Sequence, residues 1–307
     1  MRNALIVCSI IFLCCLAIGW AAGSGSGGNS AGYMLTEVTS ARAAALGGSF
    51  GSVEGDATSV KFNPAALGTI SRSQCSFMYD KDLLSDTFMN FTGGFIVGQA
   101  AIAVSADYYD AGVMKFYDVG WNEKLVSAET DKVFGLSYAG AVIMSDSPLY
   151  YGLTLKYFSS TLVEYKTAIA GAGDAGLLYP IPGSSLTIGL SALNFGTKLK
   201  YINVSESLPS SARFSIRLRI SSFFIITDAD YLLYDRACIP SVGLEYSAGG
   251  VVAVRGGYKF NSIIDKLSCG VGINLKRLNI NYSYGIDKMI SVNSQKISVD
   301  IFFTGIQ

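Results

Sequence analysis

Residues 267–286 read LSCGVGINLKRLNINYSYGI, and apolar side chains fill every second position on both sides of a short break. The apolar series are Leu267, Cys269, Val271, Ile273 and Leu275, then Leu278, Ile280, Tyr282, Tyr284 and Ile286. Alternate side chains of a β-strand point to opposite faces. The stretch therefore predicts two strands with one apolar and one polar face, joined by a tight turn at Lys276-Arg277.

The same period of two recurs along the chain from residue 71 onward. About fourteen such stretches can be counted, and several have the roughly 9–11 residues that a tilted strand needs to cross a bilayer. They lie near 73–80, 87–97, 99–108, 131–144, 149–159, 167–179, 185–195, 211–220, 222–233, 239–247, 251–260, 267–276, 277–286 and 295–304.

Composition indicates a membrane protein that crosses with strands. Of the 307 residues, 50% are hydrophobic and 15% are charged, whereas about 25% are charged in a typical soluble domain. Outside the first twenty-odd residues, no run reaches the roughly 18 apolar residues of a membrane helix. Apolar residues on one face of each strand give the composition of a transmembrane β-barrel.

The connections between the predicted strands alternate in length. Short ones lie at residues 98–99, 146–148, 180–184, 221–222, 248–250 and 276–277, and longer ones at 109–130, 196–210, 261–265 and 287–294. Outer-membrane barrels combine short periplasmic turns with longer outer loops, whereas a soluble sandwich has no reason to do so. Lipid also cannot satisfy an open strand edge. We therefore predict an all-β protein, a transmembrane antiparallel β-barrel of about fourteen strands in the bacterial outer membrane.

Charge and residue content exclude several functions. The formal net charge is zero, so the phosphates of a nucleic acid would meet no basic surface. The chain has no His, which removes Ser-His and Cys-His nucleophilic sites and the common zinc sites. We expect no enzyme activity, no metal and no cofactor.

The N-terminal seventy residues differ from the rest. Residues 1–23 combine Arg2, an apolar core and small residues, as in a secretory signal peptide; a single membrane anchor is the alternative. Residues 24–70 are a glycine-rich linker followed by the small-residue segment GYMLTEVTSARAAALGGSFGSVEGDATSVKFNPA from Gly32 to Ala65. This segment needs a surface to pack against. We predict a hatch inside a barrel formed by residues 71–307.

This N-terminal block resembles FadL-like outer-membrane proteins, and most closely the PorV/PorQ family. The matching positions are Tyr33, Leu35, Arg42, Gly47, Gly48, Asp56, Ala57, Asn63, Pro64 and Ala65. Further similarity lies at 175–196, 208–216 and 254–260. The resemblance implies a fourteen-strand barrel with an N-terminal hatch in its lumen.

Two functions follow from the resemblance. FadL-type proteins move hydrophobic compounds such as long-chain fatty acids across the outer membrane. PorV-type proteins act in type IX secretion and bind exported proteins or subunits of the secretion machinery. Apart from outer-membrane lipid, the expected partner is thus either a fatty acid or other hydrophobic ligand, or a secreted protein.

Two groups of residues are candidates for functional roles. Within the hatch, Arg42 and Asp56 either lock the hatch to the wall or satisfy a buried polar network. Gly47 and Gly48 belong to the same motif, and Asn63-Pro64-Ala65 is expected to form the corner into the first strand.

On the polar faces, six charges are expected to point into the lumen: Arg213, Arg217, Arg219, Asp228, Asp230 and Arg255. They form either an electrostatic site for a carboxylate or acidic terminus, or ion pairs across neighbouring strands.

Overall fold

The computed structural model describes residues 30–81, 86–117, 120–144, 147–163, 166–201, 204–261, 267–286 and 293–303. The predicted signal peptide and residues 24–29 of the predicted linker lie outside this part of the chain. Within the described residues, no helix has the length and apolar character needed to cross a membrane.

Fourteen antiparallel strands close into a barrel. They are Gln74–Lys81 (β1), Thr87–Val97 (β2), Ala100–Asp110 (β3), Glu129–Met144 (β6), Ser147–Leu162 (β7), Lys166–Pro180 (β8), Leu186–Gly196 (β9), Ser211–Ile220 (β12), Phe223–Leu232 (β13), Ala237–Ala248 (β14), Val252–Lys259 (β15), Leu267–Asn274 (β16), Leu278–Ile286 (β17) and Ser294–Phe302 (β18). Pairing of Gln74 with Phe302 closes the ring between β1 and β18. The predicted fold is confirmed.

Two long connections contain structure that the sequence did not predict. Val113–Tyr117 (β4) and Glu123–Ser127 (β5) form a two-stranded sheet that is separate from the barrel wall, and Leu199–Tyr201 (β10) and Val204–Glu206 (β11) form another. Both lie at the end of the barrel where the long connections are, which we call the long-loop end. The opposite end, with turns such as that at Gly98, is the short-turn end; it faces the periplasm in outer-membrane barrels.

The strands of the barrel wall present apolar side chains to the outside and polar side chains to the interior. A sheet in a soluble protein does the reverse. On β7, Leu153 and Leu155 point outward and are 58% and 70% exposed. Their neighbours Thr154 and Lys156 point inward and are buried. An apolar outer surface around a polar interior is the pattern of a barrel whose solvent on the outside is lipid.

Residues 32–70, here called the lumenal segment, lie inside the barrel. They form three short 3-10 helices, Tyr33–Thr36, Ala57–Lys61 and Pro64–Thr69, and one short α-helix, Ala41–Ala45 (α1). The segment begins against the long-loop end, where Ala31 N donates to Ser207 O. It ends near the short-turn end, so it runs the length of the lumen.

Candidate functional site

The lumenal segment meets the wall backbone to backbone at inward-facing glycines. A Cβ placed on Gly257 of β15 would lie 2.1 Å from the backbone nitrogen of Gly47, and one on Gly152 of β7 would lie 2.4 Å from the carbonyl carbon of Pro64. Real Cβ atoms do not approach other heavy atoms so closely. Any side chain at these wall positions would therefore displace the segment.

Five further wall glycines also lie against the lumenal segment. Gly189 and Gly243 meet its backbone, whereas Gly94, Gly176 and Gly270 meet its side chains. Sequence reasoning missed this set, because it treated the glycines only as members of the polar faces. The available signal was their repeated occurrence at inward positions of strands, where glycine often marks the close approach of another backbone.

Arg42 of α1 joins the lumenal segment to the wall. Its Nε and Nη2 donate to the two carboxylate oxygens of Glu245 on β14 at 2.9 and 2.8 Å, and its Nη1 donates to Asp56 at 3.1 Å. A two-point contact between guanidinium and carboxylate is the strongest and most directional form of such a pair.

The Arg42 contact continues into the wall. Arg255 donates through Nε to Glu245 at 2.6 Å and through Nη1 to Asn281 at 2.9 Å. Asn281 in turn donates to Asp300 at 3.0 Å. Glu245 is thus held between two guanidinium groups, one from the lumenal segment and one from β15, in what we call the Arg42 network.

Asp228 of β13 makes a second attachment. Its Oδ2 accepts hydrogen bonds from the backbone nitrogens of Phe50 and Gly51 at 3.0 and 2.9 Å, and its Oδ1 accepts one from Ser215. Its side chain is almost fully buried. A buried carboxylate needs such donors, because an unpaired one would be costly. Asp228 therefore fixes the middle of the lumenal segment to the wall.

The remaining predicted lumenal charges fall into ion pairs or lie apart. Arg213 contacts Asp230 at 2.8 Å and Asp228 at 3.7 Å. Arg217 contacts Glu54 of the lumenal segment at 2.7 Å.

Arg219 is exposed near the short-turn end, with its guanidinium 5.6 Å from the ring centre of Phe224. The inward-facing arginines thus do not gather into one open cationic site, which favours the interpretation of paired charges for all of them except Arg219.

The corner at Asn63 does not lead into the first strand as predicted: Asn63 caps the last 3-10 helix, Pro64–Thr69, and β1 begins only at Gln74. The Oδ1 of Asn63 accepts from Ala65 N at 3.0 Å, while its Nδ2 donates to Gly51 O and Leu177 O, each at 3.0 Å. Pro64 follows at the first helical position, where its missing N–H costs nothing. The side chain of Asn63 therefore connects two parts of the lumenal segment and β8.

Gly47 and Gly48 form the turn after α1. Their φ angles are 66° and 78°, in the left-handed region that glycine adopts most readily. Gly47 N also donates to Ser268 Oγ of β16 at 3.1 Å. The pair therefore provides both the reversal of the chain and a close approach to the wall.

No protein-family model matches this sequence, and no curated protein matches it. Solved structures do share its fold. The toluene transporter TodX of P. putida is similar with a TM-score of 0.61 at 11% identity, over 88% of this chain and 99% of that chain. A FadL homologue from Pseudomonas aeruginosa is similar with a TM-score of 0.52 at 11% identity, over 87% of this chain and 98% of that chain.

These comparisons and the apolar outer wall define the class of protein. The chain forms a closed fourteen-stranded antiparallel barrel of the FadL-like fold. It is located in the bacterial outer membrane, as the sequence predicted.

Proposed function

We propose that the barrel passes hydrophobic small molecules across the outer membrane, with the lumenal segment acting as its hatch. One observation carries the proposal: a cluster of apolar side chains forms part of the interior at the long-loop end, next to charged residues. The apolar residues of the cluster are Met34, Leu35, Met78, Phe88, Val133, Phe158, Ala168, Ala170, Ala172, Leu199 and Leu208. Water-filled porins have polar interiors. Apolar side chains inside the barrel favour the entry of a hydrophobic molecule, which lowers its free energy by leaving water.

The outer surface of the long-loop end supports the same function. Large apolar side chains are open to solvent on the β4–β5 sheet, where Val113 is 74% and Leu125 66% exposed, and just before β5, where Trp121 is 84% exposed. Apolar patches on surfaces that face water mark interaction sites. This sheet is a collecting surface from which a hydrophobic molecule can move to the apolar cluster in the interior.

Passage requires the hatch to move. The wall glycines and the Arg42 network hold the lumenal segment across the middle of the barrel. The attachments are hydrogen bonds, ion pairs and van der Waals contacts. They can break and re-form without a change in any covalent bond. Arg42, Asp56 and Asn63 act as latches in this proposal, and Gly47 and Gly48 let the hatch lie against the wall.

The secretion role implied by the resemblance to the PorV/PorQ family stays a prediction, since no contact or comparison favours it. The expectation that the chain is not an enzyme accords with the channel proteins named above.

Uptake measurements test the proposed function. Cells that lack the protein and cells that carry it are supplied with labelled toluene, oleate or a polar sugar. We expect the protein to raise uptake of at least one hydrophobic compound and to leave sugar uptake unchanged. Equal uptake of both hydrophobic compounds with and without the protein would refute the proposal.

A further inference from the structure

A cavity inside the barrel is acidic. It has a volume of about 320 Å³ and lies at the long-loop end, between the start of the lumenal segment and strands β1, β2, β3, β6 and β18. Its charged lining residues are Glu37, Asp80, Asp86, Glu129, Asp131 and Lys296. Counted over the described lining residues, five carboxylates and one ammonium group leave an excess of four negative charges around a space large enough for a small organic molecule.

Lys296 compensates only one side of the cavity. Its Nζ contacts Asp80 and lies 3.9 Å from Glu37. Among the described residues, no Lys or Arg forms an ion pair with the three other carboxylates, which are Asp86, Glu129 and Asp131. Their contacts are long and neutral: Tyr109 donates to Asp86 and Ser160 donates to Glu129, both at 3.4 Å.

Asp131 gives a second, independent indication that the cavity takes a ligand. It is only 3% exposed, it lines the cavity, and its Oδ1 has no hydrogen-bond partner among the described residues. The Oδ1 atom of Asp86 is unpartnered in the same way. Buried carboxylate oxygens without donors are costly, so a donor that enters the cavity would gain their hydrogen bonds.

The cavity fits an organic cation better than a metal ion. In the described part of the chain, no three carboxylates come close enough together to hold a metal. The walls also carry the rings of Tyr33, Phe88 and Tyr109. Aromatic faces attract ammonium groups, and the attraction grows when the pair is desolvated.

We propose that this cavity is a binding site for an organic ammonium compound with an apolar body, whose charged nitrogen is held by Asp131 while Asp86 and Glu129 add negative charge to the cavity. The apolar body lies against Met34, Phe88 and Tyr109. This inference concerns binding and goes beyond the proposed passage of hydrophobic molecules; it holds or fails independently of transport.

Calorimetric titration of the purified full chain in detergent tests the site with three probes that share one skeleton. They are 2-phenylethylammonium, the neutral 2-phenylethanol and the anionic 3-phenylpropionate. We expect the ammonium to bind at least about tenfold more tightly than the alcohol, with the carboxylate weakest, because charge decides recognition in a partly desolvated cavity. Added salt should weaken binding of the ammonium only.

Two variants locate the binding. Asp131→Asn keeps the shape and removes the charge, and we expect it to weaken ammonium binding at least about fivefold. Glu123→Gln makes the same charge change on the exposed β4–β5 sheet and should leave binding unchanged. If Asp131→Asn does not fold, Glu129→Gln replaces it with the same expectation. Equal binding of ammonium and alcohol, no ammonium binding, or an unaffected cavity variant would each overturn the proposal.

Discussion

Single residues decide how closely the lumenal segment can lie against the wall. Gly257 and Gly256 are neighbours on β15, but only Gly257 faces inward against Gly47. A Cβ on Gly256 would meet nothing within 4 Å. The inward glycine is therefore required by contact, while the outward one is free to change.

This difference gives a matched pair of variants. Gly257→Ala should lower the free energy of unfolding by about 1–3 kcal/mol, because an added methyl group in a packed contact forces the backbone apart. Gly256→Ala should leave stability within about 0.5 kcal/mol, as surface substitutions usually do. Urea unfolding of both proteins in detergent checks this. Equal stability of the two variants would show that the segment does not pack at Gly257.

A second residue-scale prediction concerns Arg42. Arg42→Met leaves Glu245 and Asp56 without their shared cation and should cost about 2 kcal/mol; a fully buried pair would cost about 3–5 kcal/mol, but the Arg42 side chain is 24% exposed. A looser hatch should also admit small polar solutes in a liposome-swelling assay.

The control for Arg42 is an exposed pair. Lys115 and Glu123 lie 2.8 Å apart with side chains 63% and 44% exposed. Lys115→Met should change stability by less than about 1 kcal/mol, since exposed ion pairs contribute little. If both substitutions have the same small effect and neither admits solute, Arg42 is not a latch.

At the scale of elements, the barrel strands were predictable and the outer sheets were not. Strands β16 and β17 alternate cleanly, because lipid outside and polar lumen inside impose opposite demands on successive side chains. All five residues of β4 are exposed, so no face of it carries a burial pattern. The residues of β4 form a strand because their backbone pairs with β5. Such pairing leaves no alternation of apolar and polar residues in the sequence.

The β4–β5 sheet also gives a prediction of its own. Replacing Val113, Trp121 and Leu125 together with Ser should lower uptake of a hydrophobic compound at low concentration several-fold, because the apolar collecting surface is lost. The barrel itself should unfold as before, since these side chains are exposed. Lys115→Gln with Glu123→Gln in the same sheet is the control. Unchanged uptake in the triple variant would remove the sheet from the proposed route.

Over the whole molecule, the candidate site depends on contacts between residues far apart in sequence. Arg42 and Glu245 are 203 positions apart, and which strand meets α1 depends on the register of the closed barrel. Sequence motifs singled out Arg42 and Asp56 but gave no partner in the wall. The charges on β12 were predicted as one group, yet Arg219 lies near the strand end and is exposed, away from the ion pairs.

We propose that hydrophobic molecules pass through the barrel only when the lumenal segment moves. Ser49 of this segment and Ser241 of β14 have their Oγ atoms 2.8 Å apart. In a protein with Cys75, Cys238 and Cys269 replaced by Ser, the changes Ser49→Cys and Ser241→Cys should form a disulfide that ties the hatch to the wall. Each single-cysteine protein serves as control.

Uptake of labelled toluene or oleate, whichever the native protein transports, is then measured before and after oxidation and again after reduction. We expect the disulfide to lower uptake to the level of cells without the protein, and reduction to restore it. Full uptake through a barrel shown to be cross-linked would mean that passage does not require the lumenal segment to move.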